Sequence, residues 1–198
     1  MRPLTEQLLE HSRGLQEGSL LTAGGLRRFG ERGAISKALS RLAQRGELHR
    51  IDHGIYVRPI PTRFGPRTPS MESVVGSLAA LRGEEIASHG AVSANRLALT
   101  TQVPIRAIYL TSGRSRSLQL GKHSLELRHA PAWQFTQAGR LSGEVVRALA
   151  WLGPAESARV LPFLVRKLPS AEREALVEAA PLLPTWLAKL LILSLSTS

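Results

Sequence analysis

The 198-residue sequence has no cysteine and only one aspartate, Asp52. The missing thiols exclude disulfides, thiolate metal sites and cysteine nucleophiles. Nearly all the acid is scattered glutamate, whereas metal-dependent nucleases and polymerases cluster their carboxylates. Aromatics make up 5% of the chain, little material for stacking single-stranded bases. The six histidines show no metal-ligand spacing, and no GxSxG elbow occurs. In TSGRSRSLQLGK seven residues lie between Gly113 and Gly121, and His123 follows Lys122, so the spacing of a phosphate loop is not met. The longest apolar stretch, near Trp186 to Leu195, is broken by Lys189 and Ser194 and is too short for a bilayer. The opening MRPLTEQLLEHSRG carries acids and no long apolar core, unlike a secretion signal. These features lead us to expect a cytoplasmic protein with no membrane partner, cofactor, metal or catalytic residue.

Basic residues are abundant. The formal net charge is +11, distributed as +6 over residues 1–69, +3 over 70–138 and +2 over 139–198. An excess weighted toward the first third points to a polyanionic partner there. Hydrophobic residues at 43% supply a packed core.

Leu4, Leu8 and Leu15 predict a first helix over Leu4 to Glu17. Thr22 is placed to cap a second, AGGLRRF, which stops at Gly30. The third is the best defined. In AISKALSRLAQRG, Ile35, Ala38, Leu39 and Leu42 form one apolar stripe, with Gly46 as the stop. The period then changes to two, and ELHRI and GIYVR flank Asp52-His53-Gly54 as a hairpin. PIPTRFGPRTPS, from Pro59 to Ser70, reads as a linker or strap and as the domain boundary. Beyond it we expect a helix over MESVVGSLAALRG with Ser70 as cap and Gly83 as stop. A short helix capped by Ser93 follows, then a strand in RAIYLTSG and strands in SLQL and HSLELRHA. From Arg140 on, the pattern predicts helices divided by Gly153-Pro154, Pro169-Ser170 and Pro181 to Pro184. Trp133, Trp151 and Trp186 read as core or interface anchors, and the Leu-rich helix from Thr185 to Leu195 can pack internally or against a second copy.

The expected class is therefore α+β. Residues 1–69 form a winged helix-turn-helix, and 70–198 form a domain with a small antiparallel sheet and several helices. A helix-turn-helix followed by a β wing is a DNA-reading arrangement. Burying Ile35, Leu39 and Leu42 leaves Lys37, Ser40, Arg41 and Gln44 facing out, with Ser36 at the flank. Lys37, Ser40 and Arg41 are the candidate base readers. Arg27, Arg28 and Arg32 stand where phosphates would pass, as do Arg50, His53 and Arg58 on the wing. The partner read from these residues is double-stranded DNA.

The run AISKALSRLAQRGELHRIDHGIYVRP resembles the N-terminal winged helix of the AbiEi-like antitoxins of type IV toxin–antitoxin systems. LTTQVPIRAIYLTSGRSRSLQLGKHSLELRHAPAW and VVRALAWLG resemble the C-terminal part of that family, so the likeness runs from about Leu20 to Trp186. It implies a transcriptional autorepressor that binds operator repeats upstream of its own operon. It further implies an antitoxin that neutralises a nucleotidyltransferase-like toxin encoded beside it.

Two other readings accompany this one. In the first, the winged helix is a scaffold, and the protein is an interaction module that binds a partner enzyme without reading DNA. In the second, Arg114, Arg116, Lys122 and Arg128 form a secondary basic patch for DNA backbone, toxin or RNA. Against the patch stands a plain strand–turn–strand with solvated arginines. A weaker variant makes the Arg114 to His129 region an RNA-acting centre using His123 or His129.

Overall fold

The computed structural model describes residues 2–102 and 106–196. Residues 103–105, within the run beginning LTTQVPI, lie outside the described residues. The chain is α+β, with two small sheets. It forms two compact units: Met1–Glu84 with Arg116–Glu126, and Glu85–Ser115 with Leu127–Ser198.

In the first unit, α1 spans Leu4–Arg13. It ends at Gly14, whose amide returns to the carbonyls of His11 and Ser12, so the helix is shorter than the pattern to Glu17 predicts. The segment expected to be the second helix is instead a strand and a turn. β1 covers Leu20–Thr22, and a single 3-10 turn follows over Arg27–Phe29. Thr22 does cap, but it caps a turn: its hydroxyl accepts from the Gly25 amide at 3.1 Å. Two consecutive glycines, Gly24 and Gly25, carry too little helix propensity to extend that turn.

α2, Arg32–Gln44, buries the expected stripe of Ile35, Ala38, Leu39 and Leu42. These pack with Leu8 and Leu21 into one core cluster. Gly46 takes a positive φ of 76° just past the helix, which a β-carbon would disfavour. β2 (His49–Asp52) and β3 (Ile55–Val57) form the wing hairpin, turned by Gly54. β1 pairs with β3, giving the order β1-β3-β2. Leu21 lies opposite Tyr56, and Arg50 lies opposite Tyr56 on the other side. As the central strand, β3 is buried at all three positions.

The Pro-rich segment lies inside the first unit rather than between two domains. Ile60 and Arg67 exchange backbone hydrogen bonds at 2.8 and 2.9 Å. Glu17 holds the far end by accepting from Arg67 and from the Ser70 amide. α3, Met71–Arg82, follows with the predicted signals: Ser70 accepts from the Ser73 amide, and Gly83 closes the helix in the left-handed region. The first unit thus extends beyond residue 69. It also takes in β6 (Arg116–Leu120) and the first part of β7 (His123–His129), with β6 beside β2.

The second unit holds β4 (Ile86–Ser88), α4 (Gly90–Arg96), β5 (Ala107–Thr111), the end of β7, and a helical portion. The second sheet has the order β4-β5-β7-β6. Ser93 does not cap α4. His89 does, accepting from the Ala91 amide, while Ser93 is buried within the helix. The helical run α5 (Leu141–Lys167) is divided at the expected Gly153-Pro154, where Gly153 takes a non-helical φ of 79°. Pro154 then starts the second segment, a position where its missing N–H costs nothing. α6 is Ser170–Ala179 and α7 Thr185–Ser196. Leu187 and Leu191 of α7 join the core of Val145, Leu149, Leu161 and Leu176, so this helix packs internally. Trp133 and Trp186 pack against the same core, while Trp151 is 39% exposed.

Candidate nucleic-acid interface

α2 presents two unlike faces. Its inner stripe is closed, while Arg32, Ser36, Lys37, Arg41 and Gln44 are exposed and Ser40 is half-buried. α2 contains no acidic residue. Among the described residues none forms an ion pair with Arg27, Arg32, Lys37 or Arg41. Lys37 and Arg41, one turn apart, line a groove of about 460 Å3 together with Gly33, Ala34 and the start of α1 at Pro3, Leu4 and Thr5. No side chain caps the first turn of α2, which leaves its amides open to an anion.

The arginines before α2 differ from one another. Arg27 is exposed and has no ion-pair partner among the described residues. Arg28 is exposed but folded against α1: Nη2 donates to His11 Nδ1 at 3.0 Å, and the guanidinium lies 4.9 Å from the Phe29 ring centre. Burial, with the neighbouring Arg28 charge, holds the His11 imidazole below its ordinary pKa.

On the wing, Arg50 donates to His53 Nδ1 at 3.1 Å and to the Asp52 carbonyl at 3.4 Å, so the two expected contact residues form one exposed group at the turn. Asp52 is tied to Arg82 of α3 at 2.5 Å. Arg58, among the expected phosphate contacts, is half-buried, and its Nε donates to the Ser12 carbonyl at the end of α1 at 3.0 Å, which braces the wing against that helix. Sequence reading also passed over Arg63, whose guanidinium stacks 4.6 Å from the ring centre of the exposed Phe64. Its only sequence signal is a cation beside an aromatic in a Pro/Gly turn.

The four residues of the possible secondary patch differ in burial and pairing. Arg116 is largely buried and donates to both oxygens of Glu84, at 3.1 and 2.6 Å, so its charge is neutralised in place. Lys122 is exposed at the β6–β7 turn, and Arg114 and Arg128 are exposed. The Nδ1 of His129 lies 2.8 Å from the Gly113 carbonyl, and among the described residues no group of three potential metal ligands occurs. No described helix is long and apolar enough to cross a membrane.

No curated protein and no solved structure matches the chain. A family model does match, over residues 7–168 and therefore through the winged unit and most of the second: the chain belongs to the family of unknown function DUF6088.

Proposed function

We propose that the first unit binds duplex DNA through the outer face of α2, and that the protein is a transcriptional repressor. The observation that carries this reading is the acid-free outer face of α2, where Lys37 and Arg41 are exposed and unpaired. A solvated helix face ordinarily mixes signs, because opposite charges at i,i+4 stabilise a helix. A face of one sign with short polar neighbours suits a groove lined by phosphates and base edges. In this reading Lys37 and Arg41 reach guanine edges, Ser36, Ser40 and Gln44 lie beside them, and Arg27, Arg32 and Arg50 meet the backbone. The uncapped first turn of α2 supports a phosphate contact there as well.

The likeness to AbiEi-like antitoxins extends the proposal. The operator would lie upstream of the protein's own gene, and the protein would counter a nucleotidyltransferase-like toxin in the cytoplasm. The scaffold reading, in which a partner enzyme is bound and DNA is not, has no observation of its own in α2.

Fluorescence anisotropy with duplex from directly upstream of the gene, at two salt concentrations and beside a scrambled duplex, tests the reading. The expected result is salt-sensitive binding that prefers the upstream duplex. The preference should disappear in Lys37→Ala/Arg41→Ala, each residue contributing ~1–3 kcal/mol. Weak binding to every duplex, unchanged in the variant, would transfer the weight to the scaffold reading. Growth rescue on co-expression with the neighbouring gene product tests the antitoxin proposal separately.

A further inference from the structure

Arg28 stands in the 3-10 turn just ahead of α2, beside the exposed Arg27, yet the fold holds it. Its Nη2 lies 3.0 Å from Nδ1 and 3.4 Å from Nε2 of His11, in the last turn of α1. The same guanidinium lies 4.9 Å from the Phe29 ring centre, and that ring is 5.2 Å from the His11 ring. His11 and Phe29 are half-buried, whereas Arg28 is exposed. A half-buried pair of rings therefore keeps one exposed cation against α1.

This contact depends on protonation. A guanidinium only donates and stays charged. An imidazole nitrogen accepts only while it carries no proton. Protonating His11 therefore replaces a hydrogen bond with two cations in contact. The surrounding charged groups do not offset that repulsion. On the same helix Glu10 is paired with Arg13 at 2.8 Å, and Glu6 lies in the first turn. From the end of β3, Arg58 is bound to the Ser12 carbonyl. The stripe of α2 in the common core, Ile35, Ala38, Leu39 and Leu42, carries no titratable group. Glu31 and Arg32, where α2 begins, are exposed and form no ion pair among the described residues.

We propose that His11 gates Arg28: the neutral imidazole holds the guanidinium on α1, and the protonated one releases it to a phosphate of the duplex. The inference rests on the DNA reading of the first unit and adds a control on it. Burial and the Arg28 charge hold the His11 pKa below its ordinary 6.5. The arginine is thus withheld at neutral pH, and binding tightens as pH falls below that value. By linkage, bound duplex favours the protonated imidazole and takes up a proton.

Salt titrations of duplex binding at about pH 7.5 and about pH 5 span this change. They are run on the full chain as wild type, Arg28→Ala, His11→Gln and His11→Ala, with circular dichroism to verify folding. On the wing, His53 accepts from Arg50 at 3.1 Å and also titrates, so the reading is the difference between proteins. On acidification the wild-type salt slope should steepen by about 1 more than that of Arg28→Ala. His11→Gln keeps an acceptor that does not titrate and should respond to pH as Arg28→Ala does. His11→Ala has no acceptor and should show the steeper slope already at pH 7.5. Equal pH responses in wild type and Arg28→Ala would overturn the gate and leave the DNA reading standing. So would a His11→Ala slope equal to wild type at pH 7.5, the result if His11 acted only through its own charge. Wild-type protein that binds no duplex at either pH would overturn the DNA reading itself.

Discussion

Glu17 and Arg67 form a two-pronged ion pair, with Arg67 Nη1 2.9 Å from Glu17 Oε1 and Nη2 2.8 Å from Oε2. Oε1 also accepts from the Ser70 amide at 2.8 Å. One carboxylate before β1 therefore fixes the end of the Pro-rich strap and the start of α3. Hydrogen bonds from Arg67 and the Ser70 amide draw the Glu17 carboxyl down to about 2, from an ordinary 4.5. A carboxyl depressed by folding stabilises the fold fully above its ordinary value. That contribution is lost as pH falls from about 4.5 toward 2. Thermal melts of wild type and Glu17→Gln should therefore differ at neutral pH and converge with acidification through this window. Parallel pH profiles would show that the pair does not contribute. Because both side chains are partly exposed, the difference is small.

Arg116 and Arg114 stand two residues apart and should differ in their response to substitution. The Arg116–Glu84 pair has both side chains only 15% exposed. Arg116→Ala removes both of these hydrogen bonds from a mostly buried carboxylate and should cost ~3 kcal/mol in urea unfolding. Arg114 is exposed, and Arg114→Glu should change stability by no more than about 0.5 kcal/mol. Reversing both at once would confuse unfolding with loss of a binding patch. Arg114→Glu with Lys122→Glu is the clean test of a patch, read by DNA binding and by toxin rescue.

Gly143 should reverse the usual helix ranking. Replacing a helical glycine by alanine ordinarily gains about 0.5–1 kcal/mol. Here a β-carbon would collide with the Gln137 carbonyl oxygen, a backbone atom that cannot swing aside. Gly143→Ala should therefore destabilise by ~1–3 kcal/mol. Gly33→Ala on α2 meets nothing within 4 Å and should be neutral or stabilising. Chemical denaturation of the two variants side by side gives the comparison. Equal gains in both would show that the start of α5 can shift to make room.

Local signals were legible where one residue answers one backbone need. The α2 stripe, the Ser70 cap, Gly83 and the turn at Gly54 all follow from periodicity or from a single conformational preference. β1 was hidden because Leu20–Thr22 is three residues long and is fixed by pairing with β3, some 35 residues later. Sequence periodicity over three residues cannot separate a strand from a helix start. α4 was misread for a similar reason. Both His89 and Ser93 can accept from an amide, and burial of Ser93 beside Ser88 and Glu144 decided between them. The candidate interface was legible in its exposed face but not in its partners. Nothing local in the sequence says that Arg58 reaches back to Ser12 or Arg116 to Glu84.

Arg58 and Arg27 separate the brace from the contact. Arg58 Nε donates to the Ser12 carbonyl, and Ser12 is itself buried, its hydroxyl donating to the Leu9 carbonyl at 2.6 Å. Removing a charged donor from a buried carbonyl costs ~1.5–3 kcal/mol. Arg58→Ala should lower stability by about that amount and, at temperatures where it is folded, leave the salt dependence of DNA binding unchanged. Arg27 is exposed and has no ion-pair partner among the described residues. Arg27→Ala should leave stability within about 0.5 kcal/mol, weaken binding to all duplexes alike and reduce the salt slope by about 1. The measurement is a pair of salt titrations beside a pair of melts. If Arg58→Ala instead lowered the salt slope and left the melt untouched, Arg58 would return to the phosphate contacts, and the bond to Ser12 would be one it gives up on binding DNA.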